Sequence, residues 1–176
     1  SIVLFGGEPG IGKSTLSLQV AGNVDKCLYV SAEESEAQVA NRAKRLGISS
    51  NGLTMSSENR WEAIEKIIQM SKPTLLIVDS IQTIYSEGLD GLPGSLTQVR
   101  ECGSRILEFC KSENITVILI GHITKDGKIA GPKMLEHMVD TVINLAGDSK
   151  TDLRTLRSTK NRFGATHESA IFEMSE

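Results

Sequence analysis

The sequence predicts an α/β fold with a mostly parallel central sheet flanked by helices, and with antiparallel strands in the C-terminal third. Three observations carry this reading. Short continuous apolar runs alternate with stretches of helical period as far as Gly121, the pattern of βαβ units. The 176 residues are 39% hydrophobic but only 4% aromatic, so the core is aliphatic, as strands buried on both faces require. Beyond Gly121 three strand-like segments follow one another across turn-like residues, which predicts antiparallel neighbours.

Residues 2–5 are apolar throughout and end in glycines, the mark of a fully buried strand. A helix follows from near Ser14 to about Ala21, with Leu16, Val20 and Leu18 as its inward residues. Residues 28–31 form the second strand. Ser35 and Gln38 then make a capping box for a helix through Leu46, and Gly47 supplies its stop. Residues 53–55 are a candidate short strand. Asn59 with Glu62 predicts a second N-terminal box, leading a helix that carries Ile64, Ile67, Ile68 and Met70. Pro73 separates that helix from residues 74–79, the most strand-like segment in the chain. A polar, glycine-rich stretch over 86–95 precedes Leu96, Val99, Gly103, Ile106, Leu107 and Cys110, which recur at helical spacing. Residues 115–121 are the next buried strand, a loop spans 122–132, and a short helix is centred on 134–137. The last strands are predicted at 139–145, 153–159 and 168–173.

The net charge of −3 excludes a uniformly basic surface, so any nucleic-acid contact is local. No apolar run approaches the roughly 18–20 residues of a membrane span. The apolar start is too short, and lacks the basic flank, for a secretory signal. Because the chain opens directly on a strand, we expect a single domain, residues 1–176, excised from a longer protein. Cys27, Cys102 and Cys110 are odd in number and lack metal-ligand spacing, as expected of reduced packing residues in a cytoplasmic protein.

The run Gly7, Glu8, Pro9, Gly10, Ile11, Gly12, Lys13, Ser14, with Thr15 after it, matches the phosphate-binding pattern G-x-x-x-x-G-K-[ST] in full. Glycines let successive backbone N–H groups curl toward one anion, and a following helix adds its positive dipole end. Lys13 is placed for the β- and γ-phosphates and Ser14 for Mg²⁺, so the expected ligands are ATP and Mg²⁺. Asp79 ends the run Leu75-Leu76-Ile77-Val78, where a carboxylate can hold the metal through water; a helix N-cap at Asp79 or Ser80 is the bland alternative. A carboxylate must also orient the attacking water. Glu33 and Glu34 both follow the second strand, and spacing does not choose between them.

Longer matches narrow the reading. Tyr29-Val30-Ser31-Ala32-Glu33-Glu34-Ser35, Asp79-Ser80-Ile81-Gln82-Thr83, Gly121-His122-Ile123-Thr124-Lys125, Ile129-Ala130-Gly131-Pro132, Leu135-Glu136-His137-Met138-Val139-Asp140 and Lys160-Asn161-Arg162-Phe163-Gly164 join the phosphate loop. Together they resemble the RecA-like ATPase domain of the bacterial RadA (Sms) DNA-repair proteins, over essentially the whole chain. The Lys-Asn-Arg-Phe-Gly run is the specific element. Ala32 departs from the glycine expected there. The resemblance implies a RecA-like P-loop NTPase fold and selects Glu33 as the catalytic carboxylate. It implies that His122 senses the γ-phosphate, and that Lys160 and Arg162 reach the ATP site of a neighbouring subunit in a hexameric ring. It also implies a zinc module and a Lon-like domain that this sequence lacks.

By the same resemblance, loops at 85–95 and 125–133 lie where single-stranded DNA is bound. The first is acidic, with Glu87 and Asp90; the second carries Lys125, Lys128 and Lys133, so DNA contact is expected there. The implied function is a DNA-dependent ATPase of recombination and repair that moves on single-stranded DNA and branch-migrates recombination intermediates, with the RecA recombinase as a partner. The alternative is a RecA-like regulatory ATPase acting on a protein, as in circadian-clock relatives. A nucleotide kinase would need a lid, and no lid sequence is found.

Overall fold

The computed structural model describes residues 1–49, 51–123, 133–147 and 151–174, and among them eight strands form one sheet. In chain order the elements are β1 (Ile2–Gly7), α1 (Lys13–Ala21), β2 (Cys27–Ser31), α2 (Glu36–Arg45), β3 (Leu53–Ser56), α3 (Trp61–Ser71), β4 (Leu75–Asp79), a 3₁₀ turn (Ile81–Thr83), α4 (Leu96–Ser112), β5 (Thr116–His122), α5 (Lys133–Met138), β6 (Thr141–Gly147), β7 (Leu153–Asn161) and β8 (Ser169–Glu173). The strand order is β3-β2-β4-β5-β1-β6-β7-β8. Pairing is parallel from β3 through β6, and antiparallel between β6, β7 and β8. The antiparallel region is therefore one strand shorter than the sequence suggests, because β6 returns beside β1 in parallel.

Alternation along the strands feeds two cores. Leu28, Val30, Leu76 and Val78 point to the face covered by Trp61 and Ile64 of α3, Ile106 of α4 and Leu135 of α5. Cys27, Tyr29, Leu75 and Ile77 point to the other face, against Leu18 of α1 and Val39 and Ala43 of α2. All three cysteines are free and buried, and burial pushes the Cys27 thiol up to about 12. Gly103 is needed where α5 crosses α4, since a Cβ there would lie 2.5 Å from a methyl of Leu135. No described helix is long and apolar enough to cross a membrane.

Several helix faces differ from expectation. In α1 Leu18 is fully buried while Val20 is exposed, because the buried stripe runs through Lys13, Ser17, Leu18 and Ala21. Met70 and Leu96 also face outward, whereas Trp61, which the periodicity missed, packs edge-on against Phe109 at 5.7 Å. The Ser35–Gln38 capping box forms as read. The Asn59–Glu62 box does not: Arg60 stands at the N-cap of α3 without a side-chain cap. Glu58 accepts instead from the N–H groups of Asn59 and Arg60, and Glu62 accepts from Ser86 Oγ across the fold.

The stretch between the 3₁₀ turn and α4 is built around one buried amide. Gln98 Oε1 accepts from Ser86 N–H at 3.0 Å, and Gln98 Nε2 reaches the carbonyls of Ser86, Leu89 and Gly91 at 3.2, 3.0 and 3.2 Å. Tyr85 anchors the base of this loop, donating to Asn59 O and accepting from Trp61 N–H.

Candidate active site

Ligand sites of parallel α/β sheets gather at the carboxyl ends of the strands. Here register sets those ends side by side: Ser31 is paired with Asp79, Asp79 with Ile120, and Gly7 with His122. The turn after β1 needs glycine at Gly10 and Gly12, whose φ angles are 76° and 112°. Gly12 is the N-cap of α1 and has no side chain to spend the first-turn N–H groups, which leaves them for an anion. Lys13 is buried, and Nζ donates to the carbonyls of Gly7 and Glu8, each at 2.8 Å. Burial draws its pKa below the ordinary lysine range, against the opposing pull of Asp79, Glu33 and Glu8.

A cleft of about 420 Å³ brings together Pro9, Gly10, Gly12, Lys13, Ser14, Thr15, Glu33, Asp79 and His122. Gly7 and Glu8 lie behind it, supplying the carbonyls that hold Lys13, and Ile11 packs on the core beneath. Asp79 is nearly buried, and its Oδ2 accepts from the Tyr29 hydroxyl at 2.7 Å. Burial and the Asp79 carboxylate push that phenol far above its ordinary range, so it remains a donor. The Ser14 hydroxyl and the Asp79 carboxylate are hard oxygen donors facing a phosphate cradle. That set suits Mg²⁺, which takes few protein ligands and completes its shell with phosphate and water.

Glu34 and Arg42 also line this cleft, and the two glutamates differ in their partners. Glu34 is engaged by Arg42 of α2 through two bonds of 2.7 and 2.5 Å. Glu33 instead meets the ends of two other strands. Its Oε1 accepts from Ser80 Oγ at 2.7 Å and lies 3.0 Å from His122 Nε2. Burial pushes the Glu33 carboxyl up, but hydrogen bonds from Ser80 and His122, with the charges of His122 and Lys13, outweigh it and hold it below the ordinary range. The partner of His122 Nε2 is thus a carboxylate 89 residues away in the chain.

Lys160 and Arg162 are not in this cleft. Lys160 Nζ donates to the carbonyls of Glu136 and His137 at 2.6 and 3.3 Å, and Arg162 donates to His137 O at 3.1 Å. The pair thus faces one way and caps the last carbonyls of α5. Lys125 and Lys128 lie outside the described residues, as do Thr124 and the run 129–132; of Lys133 only its place at the start of α5 is described. A second pocket, of about 200 Å³, adjoins the cleft at Gly12 and Thr15, with Leu16, Leu46, Leu145, Phe172 and Met174 among its walls. Sequence reading missed this wall, because β8 reaches the phosphate loop only through tertiary pairing.

Strand order, phosphate loop and the carboxylates at neighbouring strand ends define a P-loop nucleotide-binding domain. A family model described as AAA domain matches residues 1–128, and the chain belongs to that family. Among relatives, it is 49% identical over 180 residues to the DNA repair protein RadA of Bacillus subtilis (strain 168), covering 100% of this chain and 39% of that protein. It is 50% identical over 178 residues to the DNA repair protein RadA of Aquifex aeolicus (strain VF5), covering 99% and 40%. The resemblance to RadA proteins read from the motifs thus extends over the whole chain, which spans about two fifths of their length. A solved structure of an ATPase domain superposes with a TM-score of 0.74 at 14% identity, covering 97% of this chain and 80% of that one, and it shows the same fold.

Proposed function

We propose that residues 1–176 form a single ATP-hydrolysing domain of a cytoplasmic DNA-repair and recombination protein, working as a DNA-dependent motor. The observation that carries this reading is Glu33, held at the open edge of a phosphate cleft by groups from two neighbouring strands. In this reading Lys13 exchanges its bonds to Gly7 O and Glu8 O for phosphate oxygens, and the first-turn N–H groups of α1 hold the same anion. Ser14 and Asp79 hold Mg²⁺, which when bound supplies charge neutralisation at the phosphates. The neighbouring apolar pocket takes the nucleoside. Glu33 accepts the proton of the attacking water, and His122 leaves Glu33 when the γ-phosphate arrives. Lys160 and Arg162, presented together outside their own cleft, complete the cleft of a neighbouring copy. The names of the relatives support DNA as the track, with Lys125, Lys128 and Lys133 as its phosphate contacts.

The test is ATP turnover by the full-length, assembled protein with and without single-stranded DNA. Stimulation is expected. Its absence in a proven ring overturns the motor and favours a protein partner. Arg162→Ala should keep nucleotide affinity and lower turnover by about 10³ or more, the worth of such a group elsewhere. Mixing it with Glu33→Gln subunits should restore part of the activity; no restoration removes the contribution in trans.

A further inference from the structure

We propose that Ser80 is a positioning residue for hydrolysis, its hydroxyl fixing the Glu33 carboxylate toward the attacking water. The inference rests on the reading of Glu33 as the base.

Ser80 is fully buried and directly follows Asp79 at the end of β4. It stands at the N-cap of the 3₁₀ turn, where a serine hydroxyl ordinarily caps the first N–H groups. Here it makes no such cap. Its carbonyl is the anchor instead, accepting from Thr83 N–H at 3.1 Å and Thr83 Oγ1 at 2.7 Å. The backbone is thereby held without the hydroxyl, which donates to Glu33 Oε1 at 2.7 Å.

Glu33 needs such a partner. It lies in the bend after β2 with a side chain 44% exposed, so little packing limits its rotamers. Fixing a free glutamate side chain costs rotamer entropy. Its two donors differ in kind. His122 is partly exposed and approaches from the strand beyond β4, whereas Ser80 lies underneath and is inaccessible. Both meet the same oxygen, Oε1, which leaves Oε2 to receive a proton from water. If His122 turns toward a ligand, Ser80 is the donor that stays. Consecutive residues of β4 and its end thus serve different partners: Asp79 takes the Tyr29 hydroxyl, and Ser80 gives its own to Glu33.

The experiment is a double-mutant cycle on full-length protein, using single-turnover ATP hydrolysis and titration with a fluorescent ATP analogue. Ser80→Ala should slow hydrolysis about tenfold or more, by analogy with other misplaced catalytic groups, while the Kd for nucleotide stays within about twofold. Combined with Glu33→Gln it should cause no further loss, and Ser80→Thr, which keeps the hydroxyl, should restore most of the rate. Ser80→Cys, of similar size but a weak donor, should repeat the non-additivity. The proposal is overturned if Ser80→Ala slows Glu33→Gln as much as it slows wild type, or if nucleotide affinity falls in step with rate. Wild-type turnover by Ser80→Ala beside a dead Glu33→Gln overturns Ser80 alone. Wild-type turnover by Glu33→Gln overturns both readings.

Discussion

In β2 and β4 every residue is buried, and in β8 every residue is exposed, although all three belong to one hydrogen-bonded sheet. The buried strands carry helices on both faces and hold Glu33, Asp79 and Ser80 at their ends. Among the described residues the exposed strand pairs only with β7 and presents Ile171 outward; Phe163, past the end of β7, is likewise exposed. The contrast shows two uses of one sheet. Close packing on both faces leaves a strand end nowhere to drift, which holds the distances between groups at neighbouring strand ends to about 0.5 Å. The outer strand is exposed along its length, yet its Phe172 still walls the pocket beside the phosphate loop.

The comparison is sharpest at the two glutamates. Glu33→Gln should lower single-turnover hydrolysis by about 10²–10⁴, the usual worth of a positioned base, with nucleotide binding retained. Glu34→Gln should leave the rate near wild type and cost about 1.5–3 kcal/mol in chemical denaturation, because it breaks a bidentate pair with Arg42 that is mostly buried. Equal rate losses would return the choice between them to where spacing left it. Because the Glu33 carboxyl is held low, it stays ionised through the ordinary glutamate range. Its contribution to stability is present above that range and is lost as pH falls through the lower folded value. The acid limb of kcat/KM, which reports the ligand-free protein, should therefore lie below the ordinary glutamate range.

Packing tests come next in size. Ile77→Ala, in the buried half, should cost about 2–5 kcal/mol in denaturant unfolding. Tyr29→Phe strips a buried carboxylate of its donor and should cost about 1–3 kcal/mol by the same measurement. Ile171→Ala in β8 should change the stability of the isolated chain by less than about 0.5 kcal/mol. A cost near that of Ile77 would mean that the two halves do not differ as described.

What was legible in the sequence follows the range of the interactions. The phosphate loop, Asp79 at a strand end and the Ser35–Gln38 box are local patterns, and each stands where it was read. Ser80–Glu33 spans 47 residues and Tyr29–Asp79 spans 50, so no spacing rule could find them. The false box at Asn59 failed for the same reason, since Glu62 is claimed by Ser86 across the fold. Val20 lies off the buried stripe of α1, which runs through Lys13, Ser17, Leu18 and Ala21 and so includes the phosphate-loop lysine. The direction of β6 depends on which strand it meets, and hydrophobic patterning carries no sign of direction.

Gln98 gives the loop over residues 86–91 an unusual mechanical character. Four contacts from one amide tie it to α4, while Tyr85 ties its root to α3 and Thr83 ties the preceding turn to Ser80. Between the residue that touches Glu33 and the far side of this loop, the chain is held at Thr83, Tyr85, Ser86, Leu89 and Gly91. It is a strut rather than a tether between the end of β4 and α4.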